Sequence, residues 1–352
     1  MSEVLQKPVV VSETLMFCEA QDAASVVGYQ TEHNRAIYQK LGATLRARRP
    51  QLVVTCARGS SDNAATYAKY LIETRMSLPV LSHAPSISSV YGISASEQQQ
   101  TLFIVISQSG KSPDIVESAR RAKLGGALVV AFVNVIDSPV AEFADFVVPL
   151  CAGAEKSVAA TKSFIASLSA IAAVVAYWSE EPELLAAVAG APHALARAWA
   201  MDWSAESAHA LGVRNMYVVS RGLSLAIAQE AALKLKETCG IHAEAISAAE
   251  VRHGPMAIVR NAFPVLMLAP NDETAADFET LAEDFLDRHA RVFSAGVRTP
   301  RGIALPVLSS LHPAIYPLTL IQSFYRFAVT LSVARGLDPD RPPFLSKVTE
   351  TV

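Results

Sequence analysis

Several absences narrow what this chain can do. No two cysteines stand close enough to form a CxxC pair: Cys18, Cys56, Cys151 and Cys239 are scattered, as expected for reduced thiols in a cytoplasmic protein. Basic runs and basic–aromatic interleaving are missing, and the formal net charge is -3, so no nucleic-acid partner is expected. The N-terminus, Met1-Ser-Glu-Val-Leu-Gln-Lys-Pro8, lacks the apolar core of a secretory signal. The longest apolar stretch, about Ile165 to Trp178, carries serines and is shorter than a bilayer span, so no membrane partner is expected either. Neither a GxGxxG after a strand nor a GxxxxGK[ST] occurs, which argues against dinucleotide and P-loop sites.

What is present points to large buried cores. Residues are 51% hydrophobic and only 18% charged, and 352 residues suit two domains better than one. The runs Gln51–Cys56, Thr101–Ile106 and Ala127–Val133 are short, apolar and β-branched, and most lead through a polar turn into an Ala-rich helical stretch. Strands apolar throughout that alternate with helices predict an α/β fold with parallel sheets covered on both faces. A second series begins with Met216–Ser220 and Pro264–Ala269, then a weaker Ile303–Val307. The linker is expected between Trp178 and Trp203, where Ser179-Glu180-Glu181-Pro182 breaks the pattern.

The two series repeat one unit. Val53-Val-Thr-Cys-Ala-Arg58-Gly59-Ser60 and a helix ending at Glu73 match Val218-Val-Ser-Arg221-Gly222-Leu-Ser224 and a helix ending at Glu237. Ile104–Gly110 then matches Leu266–Asn271, but the second copy has no serines. In an open parallel sheet, ligands sit beyond the strand carboxyl ends, where helix N-termini favour anions. Ser107, Gln108, Ser109, Gly110, Lys111 and Ser112 form such a turn, with Ser60 and Ser61 at the same position one unit earlier. Ordinary N-capping by serine competes with this role. Two serine loops at neighbouring strand ends favour a bound phosphate.

On a helix from Ser224 to about Thr238, Glu230, Lys234 and Glu237 share one narrow stripe of an otherwise apolar surface. Such a stripe is either a surface ion-pair row or an acid–base set in a buried cleft. His242, Glu244, Glu250 and His253 follow closely, at spacings that match no zinc pattern.

Five segments in order, Ser107–Ser112, Glu155–Lys162, Glu230–Glu237, Ile241–Glu244 and Arg252–Pro255, resemble the sugar isomerase (SIS) family over nearly the whole chain. Its branches most similar to this chain are the isomerase half of glucosamine-6-phosphate synthase and, above all, the stand-alone glucosamine-6-phosphate deaminases. The resemblance implies two tandem flavodoxin-like domains, each a parallel sheet sandwiched by helices. These are expected at 31–185 and 200–340, after a helical extension over 1–30 and before a tail, 341–352, that closes on the site. It implies phosphate contacts from Ser61, Ser107, Gln108, Ser109 and Ser112, and sugar contacts around Val158 and Ala160, the latter replacing the family's usual serine. Ser60 and Glu230 join the expected substrate-binding set.

The same resemblance makes Glu237 the carboxylate that moves a proton between C1 and C2, with Lys234 beside it. His253 matches the ring-opening histidine, which the family supplies from a second subunit, so a homodimer is expected. Lys347, in Leu345-Ser-Lys347-Val-Thr349, matches the tail lysine that can meet the open-chain carbonyl. No metal or organic cofactor is implied. The chain reaches its SIS region after a few dozen residues, with Ser2 where the synthase has a cysteine nucleophile, so deamination of glucosamine 6-phosphate to fructose 6-phosphate is the expected direction. A deglycase, a galactosamine-6-phosphate deaminase, a simple isomerase and a non-catalytic sensor compete. The presence of Glu237, Lys234 and His253 together favours an enzyme.

Overall fold

The structure, a computed structural model, describes residues 9–93 and 98–347. Residues 1–8 of the expected extension over 1–30, and the residues of the expected tail beyond Lys347, with Val348 and Thr349, lie outside them. Three helices lead in: α1 (Leu15–Gln21), α2 (Ala23–His33) and α3 (Arg35–Arg48). The first sheet unit runs β1 (Leu52–Cys56), α4 (Ser60–Met76), β2 (Val80–Ser82), α5 (Pro85–Ser89), β3 (Thr101–Ser107), α6 (Pro113–Leu124), β4 (Leu128–Val133) and β5 (Phe146–Pro149). Two long helices, α7 (Lys162–Ser179) and α8 (Pro182–Ala200), carry the chain across. The second unit runs β6 (Asn215–Ser220), α9 (Leu225–Cys239), β7 (His242–Ser247), β8 (Pro264–Leu268), α10 (Phe278–Asp287), β9 (Arg291–Ala295), β10 (Ile303–Leu305) and α11 (Tyr316–Ala334).

Both sheets are wholly parallel, ordered β2-β1-β3-β4-β5 and β10-β9-β8-β6-β7. Read from β7, the second repeats the first, and both follow the flavodoxin-like order 2-1-3-4-5. The α/β class and the two tandem sandwiched sheets expected from the sequence are therefore present. Every residue of β3 and β4 is buried, which is why those runs read as unbroken apolar stretches.

The two units share one interior. A continuous cluster of buried side chains runs from Val53 and Ile104, through Phe164 and Ile171 on α7, to Ala231, Phe293 and Phe324. The outer faces have separate cores. Ile115, Ala119 and Ala122 of α6 cover the first sheet, and Phe278, Leu281 and Phe285 of α10 cover the second. Each such large apolar side chain contributes about 1.5–3 kcal/mol on burial.

One expectation is refined and one corrected. The segment expected as the linker, between Trp178 and Trp203, joins the two sheet units and is mostly the helix α8, packed on α2, α7 and α11. The break at 179–182 separates two helices: Glu180 turns left-handed (φ 56°) and Pro182 opens the next, where its missing N–H costs nothing. Helix α7 is also longer than expected and, with 18 residues, is apolar enough to cross a membrane, yet 89% of it is buried within the protein. It is the central core helix, against α2, α3, α4, α8 and α11.

Candidate active site

The cleft forms where the first sheet reverses its strand order, between the loops that leave β1 and β3. Arg58, Gly59, Gln108, Ser109, Ser112 and Val158 line it from the first unit, Glu237 from the second, and Leu345, Ser346 and Lys347 from the tail. Its volume is about 300 Å³.

The β3 turn is built by its own side chains. The Ser107 hydroxyl accepts the Gly110 N–H at 3.0 Å, and Ser109 accepts the Lys111 N–H at 3.4 Å. Gly110 is left-handed (φ 61°), and a Cβ there would lie 2.1 Å from the Ser138 hydroxyl. Glycine is thus required by contact with Ser138, rather than to admit a ligand. Ser112 stands at the N-cap of α6 but its side chain makes no capping bond, so the competing role of plain N-capping does not account for it. Across the cleft, Gly59 (φ 56°) precedes α4 with no side-chain cap. Two uncapped helix N-termini converging on hydroxyls and amides make a site for an anion. Arg58 adds a cation, held by Asp114 through Nε at 3.0 Å and Nη2 at 2.9 Å.

Glu237 brings acid–base chemistry from α9. The buried Lys234 ammonium contacts Glu237 at 2.5 Å, Glu230 at 3.3 Å and the Ser60 hydroxyl at 3.2 Å. Glu230 has no solvent exposure and accepts from Ser60 at 3.0 Å, Asn63 at 2.8 Å and Tyr325 at 3.4 Å. Burial pulls the Lys234 ammonium down, but the carboxylates of Glu230 and Glu237 outweigh it and hold it above the ordinary lysine range. Burial pushes the Glu230 carboxyl up, only partly opposed by Lys234 and Asn63. Because Ser60 and Asn63 sit on α4 and Glu230 on α9, this buried cluster fastens the anion-loop unit to the acid–base unit.

The tail lysine is anchored too. Lys347 Nζ donates to Glu155 at 3.0 Å, and Glu155 also accepts from the N–H groups of Thr161 and Ser163 and the Ser163 hydroxyl. Burial raises the Glu155 carboxyl, but Lys347 and these donors outweigh it and hold it below the usual range. The same loop is tied down by Glu19, which accepts the Lys156 and Ser157 N–H groups. The Val158 N–H donates to the Asp340 carbonyl at 3.2 Å. Asp340 in turn caps α1, its carboxylate accepting from Leu15 and Met16 at 2.7 Å each.

Of the residues expected from the sequence, Gln108, Ser109, Ser112, Val158, Glu237 and Lys347 line the cleft, and Lys234 stands directly behind Glu237. Ser60 and Glu230, expected to touch substrate, instead bond each other inside the inter-unit cluster. Ser107 spends its hydroxyl on the turn. Ser61 lies in the first turn of α4 and Ala160 beside the Val158 loop, neither among the lining residues. His253 is exposed, in a short helical turn (Val251–His253), and does not line its own chain's cleft. Arg58, Asn63, Glu155 and Asp340 were not singled out from the sequence. Only the Arg-Gly repeat and the Glu155–Lys162 segment hinted at any of them.

At the second unit's own reversal of strand order, the turn after β6 packs against the loop after β8. There Gly222 (φ 59°) is so close to Thr274 and Asp272 that a Cβ would meet their oxygens at 2.9 and 3.4 Å. A carboxylate thus stands beside Gly222, whereas nothing lies within 4 Å of a Cβ at the corresponding Gly59. Among the described residues, no cluster of three or more His, Cys, Asp or Glu could hold a metal ion, and all four cysteines are free.

A model of the SIS domain matches residues 48–177 and 212–294, more than half of the chain. The chain belongs to the SIS-domain family. The matched segments hold both parallel sheets except β10, together with the anion loops and Glu237. The glutamine–fructose-6-phosphate aminotransferase (isomerizing) of Brucella abortus is 33% identical over 318 residues, 84% of this chain and 51% of that protein. This SIS protein spans about half the length of the curated relatives it matches. A crystal structure from Silicibacter pomeroyi DSS-3, described as a candidate phosphosugar isomerase, is 41% identical with a TM-score of 0.87, covering 93% of this chain and 100% of that one. Glucosamine-6-phosphate deaminase from Thermotoga maritima shares the fold at 18% identity and a TM-score of 0.77, covering 96% of this chain and 100% of that one.

Proposed function

We propose that this SIS protein is an isomerising deaminase that converts glucosamine 6-phosphate and water to fructose 6-phosphate and ammonia in the cytoplasm. The observation that carries the reading is one carboxylate, Glu237, backed by a buried ammonium and lining the same 300 Å³ cleft as the serine loop. The 33%-identical relatives are named for transferring an amine to fructose 6-phosphate with isomerisation, and the reverse direction consumes the amino sugar.

In this mechanism the substrate phosphate takes hydrogen bonds from Gln108, Ser109 and Ser112 beside the N-termini of α4 and α6, with Arg58 as counter-charge. His253 of a second copy opens the pyranose by passing a proton between O1 and O5, which makes the working unit a homodimer. Glu237 removes the C2 proton of the open-chain aldehyde and returns it to C1, converting an enolamine into a ketose imine. Water adds at C2 and ammonia leaves. One carboxylate serves both carbons because they lie on one face of a planar intermediate, and such proton transfer is typically worth about 10²–10⁴-fold. Lys347, held by Glu155, faces the carbonyl end.

The test is coupled detection of ammonia and fructose 6-phosphate over a panel of phosphosugars. Glucosamine 6-phosphate is expected to turn over, with kcat lowered about 10²-fold or more in Glu237→Gln. Full turnover by that variant, or no ammonia from glucosamine 6-phosphate, overturns the assignment. Release from galactosamine 6-phosphate alone would move it to the epimer.

A further inference from the structure

A carboxylate stands where an anion site should not have one. Asp114 lies in the first turn of α6, two residues after Ser112, and is fully buried. Its negative charge opposes the binding of a phosphate there, and burying it is costly in itself. A helix N-terminus favours a carboxylate, yet Asp114 turns only Oδ1 to the helix, to the Ile115 N–H at 2.8 Å, and gives Oδ2 to Arg58. Arg58 Nε and Nη2 both donate to that one oxygen, so one edge of the guanidinium is fixed while its end is left free. Among the described residues nothing else bonds this side chain, which is half exposed and lines the cleft. The second unit keeps the arginine and lacks the pair. Arg221 takes the place of Arg58 there, beside the turn that packs on Asp272 and Thr274, and has no ion-pair partner among the described residues.

We propose that Asp114 is a positioning residue, fixing the Arg58 guanidinium so that Nη1 and Nη2 at its free end each donate to one oxygen of the substrate phosphate. The planar fork matches two oxygens on one phosphorus, a fit that an ammonium cannot make. A loose arginine would lose its rotamer freedom each time the phosphate bound, whereas Asp114 removes that freedom in advance. The cost of a negative charge beside the site is offset by the cation it directs. Ser112 and the residue that aims Arg58 stand together at the start of α6, so one helix end sets both a neutral and a charged donor. The serines and Gln108 are neutral donors, and the pinned arginine adds the charge that separates a sugar phosphate from the bare sugar. This rests on the phosphate reading of the serine loops and not on deamination.

Fructose 6-phosphate would be titrated into the purified protein by calorimetry, which reads binding whichever phosphosugar is turned over. Charge alone predicts tighter binding by Asp114→Asn, since a repelling carboxylate is gone. Positioning predicts the opposite, a Kd raised about tenfold or more. Asp114→Asn/Arg58→Met should then bind no more weakly than Arg58→Met alone. Arg58→Lys, at a half-exposed side chain, keeps the charge but not the fork and should also raise Kd about tenfold; it decides the matter even if Asp114→Asn does not fold. KM for glucosamine 6-phosphate should rise with Kd while kcat changes little. An unchanged or lower Kd in Asp114→Asn, a further loss in the double variant, or an unchanged Kd in Arg58→Lys overturns the proposal. The expected Kd changes without ammonia from glucosamine 6-phosphate would uphold the pair and sink the deaminase reading instead.

Discussion

Replacing Lys234 by methionine isolates what the buried cluster does. Methionine keeps the length of the side chain and removes the ammonium, leaving Glu230 without solvent exposure and with only Ser60, Asn63 and Tyr325 as donors. Breaking a buried pair in this way costs about 3–5 kcal/mol when the remaining charge cannot escape. Glu230 can escape by taking up a proton. From its ordinary value of 4.5, neutralisation at pH 7 costs 2.5 pH units at about 1.36 kcal/mol each, which caps the loss near ~3.4 kcal/mol. The folded-state pKa of Glu230 is raised, so its protonated form contributes stability below 4.5 that is lost as pH rises through the folded value. Loss of the Lys234 charge removes the main force opposing that rise, so the deficit of Lys234→Met should shrink by at most about 1.4 kcal/mol per unit as pH falls from 7 toward 5. Urea unfolding of the wild type and the variant at pH 5, 6 and 7 measures it, and Glu230→Gln/Lys234→Met should recover most of the loss at pH 7. Activity should stay low throughout, since Glu237 has lost its ammonium neighbour. A deficit that is independent of pH, or that grows toward pH 5, would refute the reasoning.

Three further outcomes follow from the site. Ser112→Ala removes a hydroxyl offered to the phosphate and should raise KM by about tenfold or more with kcat little changed, as read from initial rates. Lys347→Met frees the tail from Glu155 and should lower kcat while speeding chymotryptic cleavage at the exposed Phe344, followed by mass spectrometry. Iodoacetamide at pH 8 should label the exposed Cys18 first and spare Cys56 and Cys239, whose thiols burial pushes up to about 12 and about 11.

The fold was legible where burial is complete on both faces. β1, β3, β4 and β8 are apolar runs, and the expected bounds of each differ from those observed by one residue at one end only. The strands that escaped notice have weaker patterns. β7 lies at a sheet edge and alternates exposed His242 and Glu244 with buried Ala243 and Ile246, so it reads as a polar loop. β2 and β5 are edge strands of three and four residues, too short to carry a period. In the site, Glu237 and Lys234 stood out because helical periodicity and the resemblance agreed. For Ser60, in a turn, and Glu230, on the helix stripe with Lys234 and Glu237, a sequence shows a polar residue near the site but not which neighbour takes its hydrogen bond. Glu155 and Asp340 act on partners 192 and 325 residues away, separations that no local pattern encodes.

Those long-range ties have a consequence for biosynthesis. Asp340 caps α1, its carbonyl holds Val158, and Glu155 waits for Lys347. A growing chain can lay down the first sheet and its serine loop early, but the Leu15 and Met16 N–H groups lack their carboxylate and the cleft stays open until synthesis has passed Lys347. The anion loop is thus made early and its closing wall late. A ribosome-stalled chain ending before Asp340 is expected to hold phosphosugar weakly and turn none of it over.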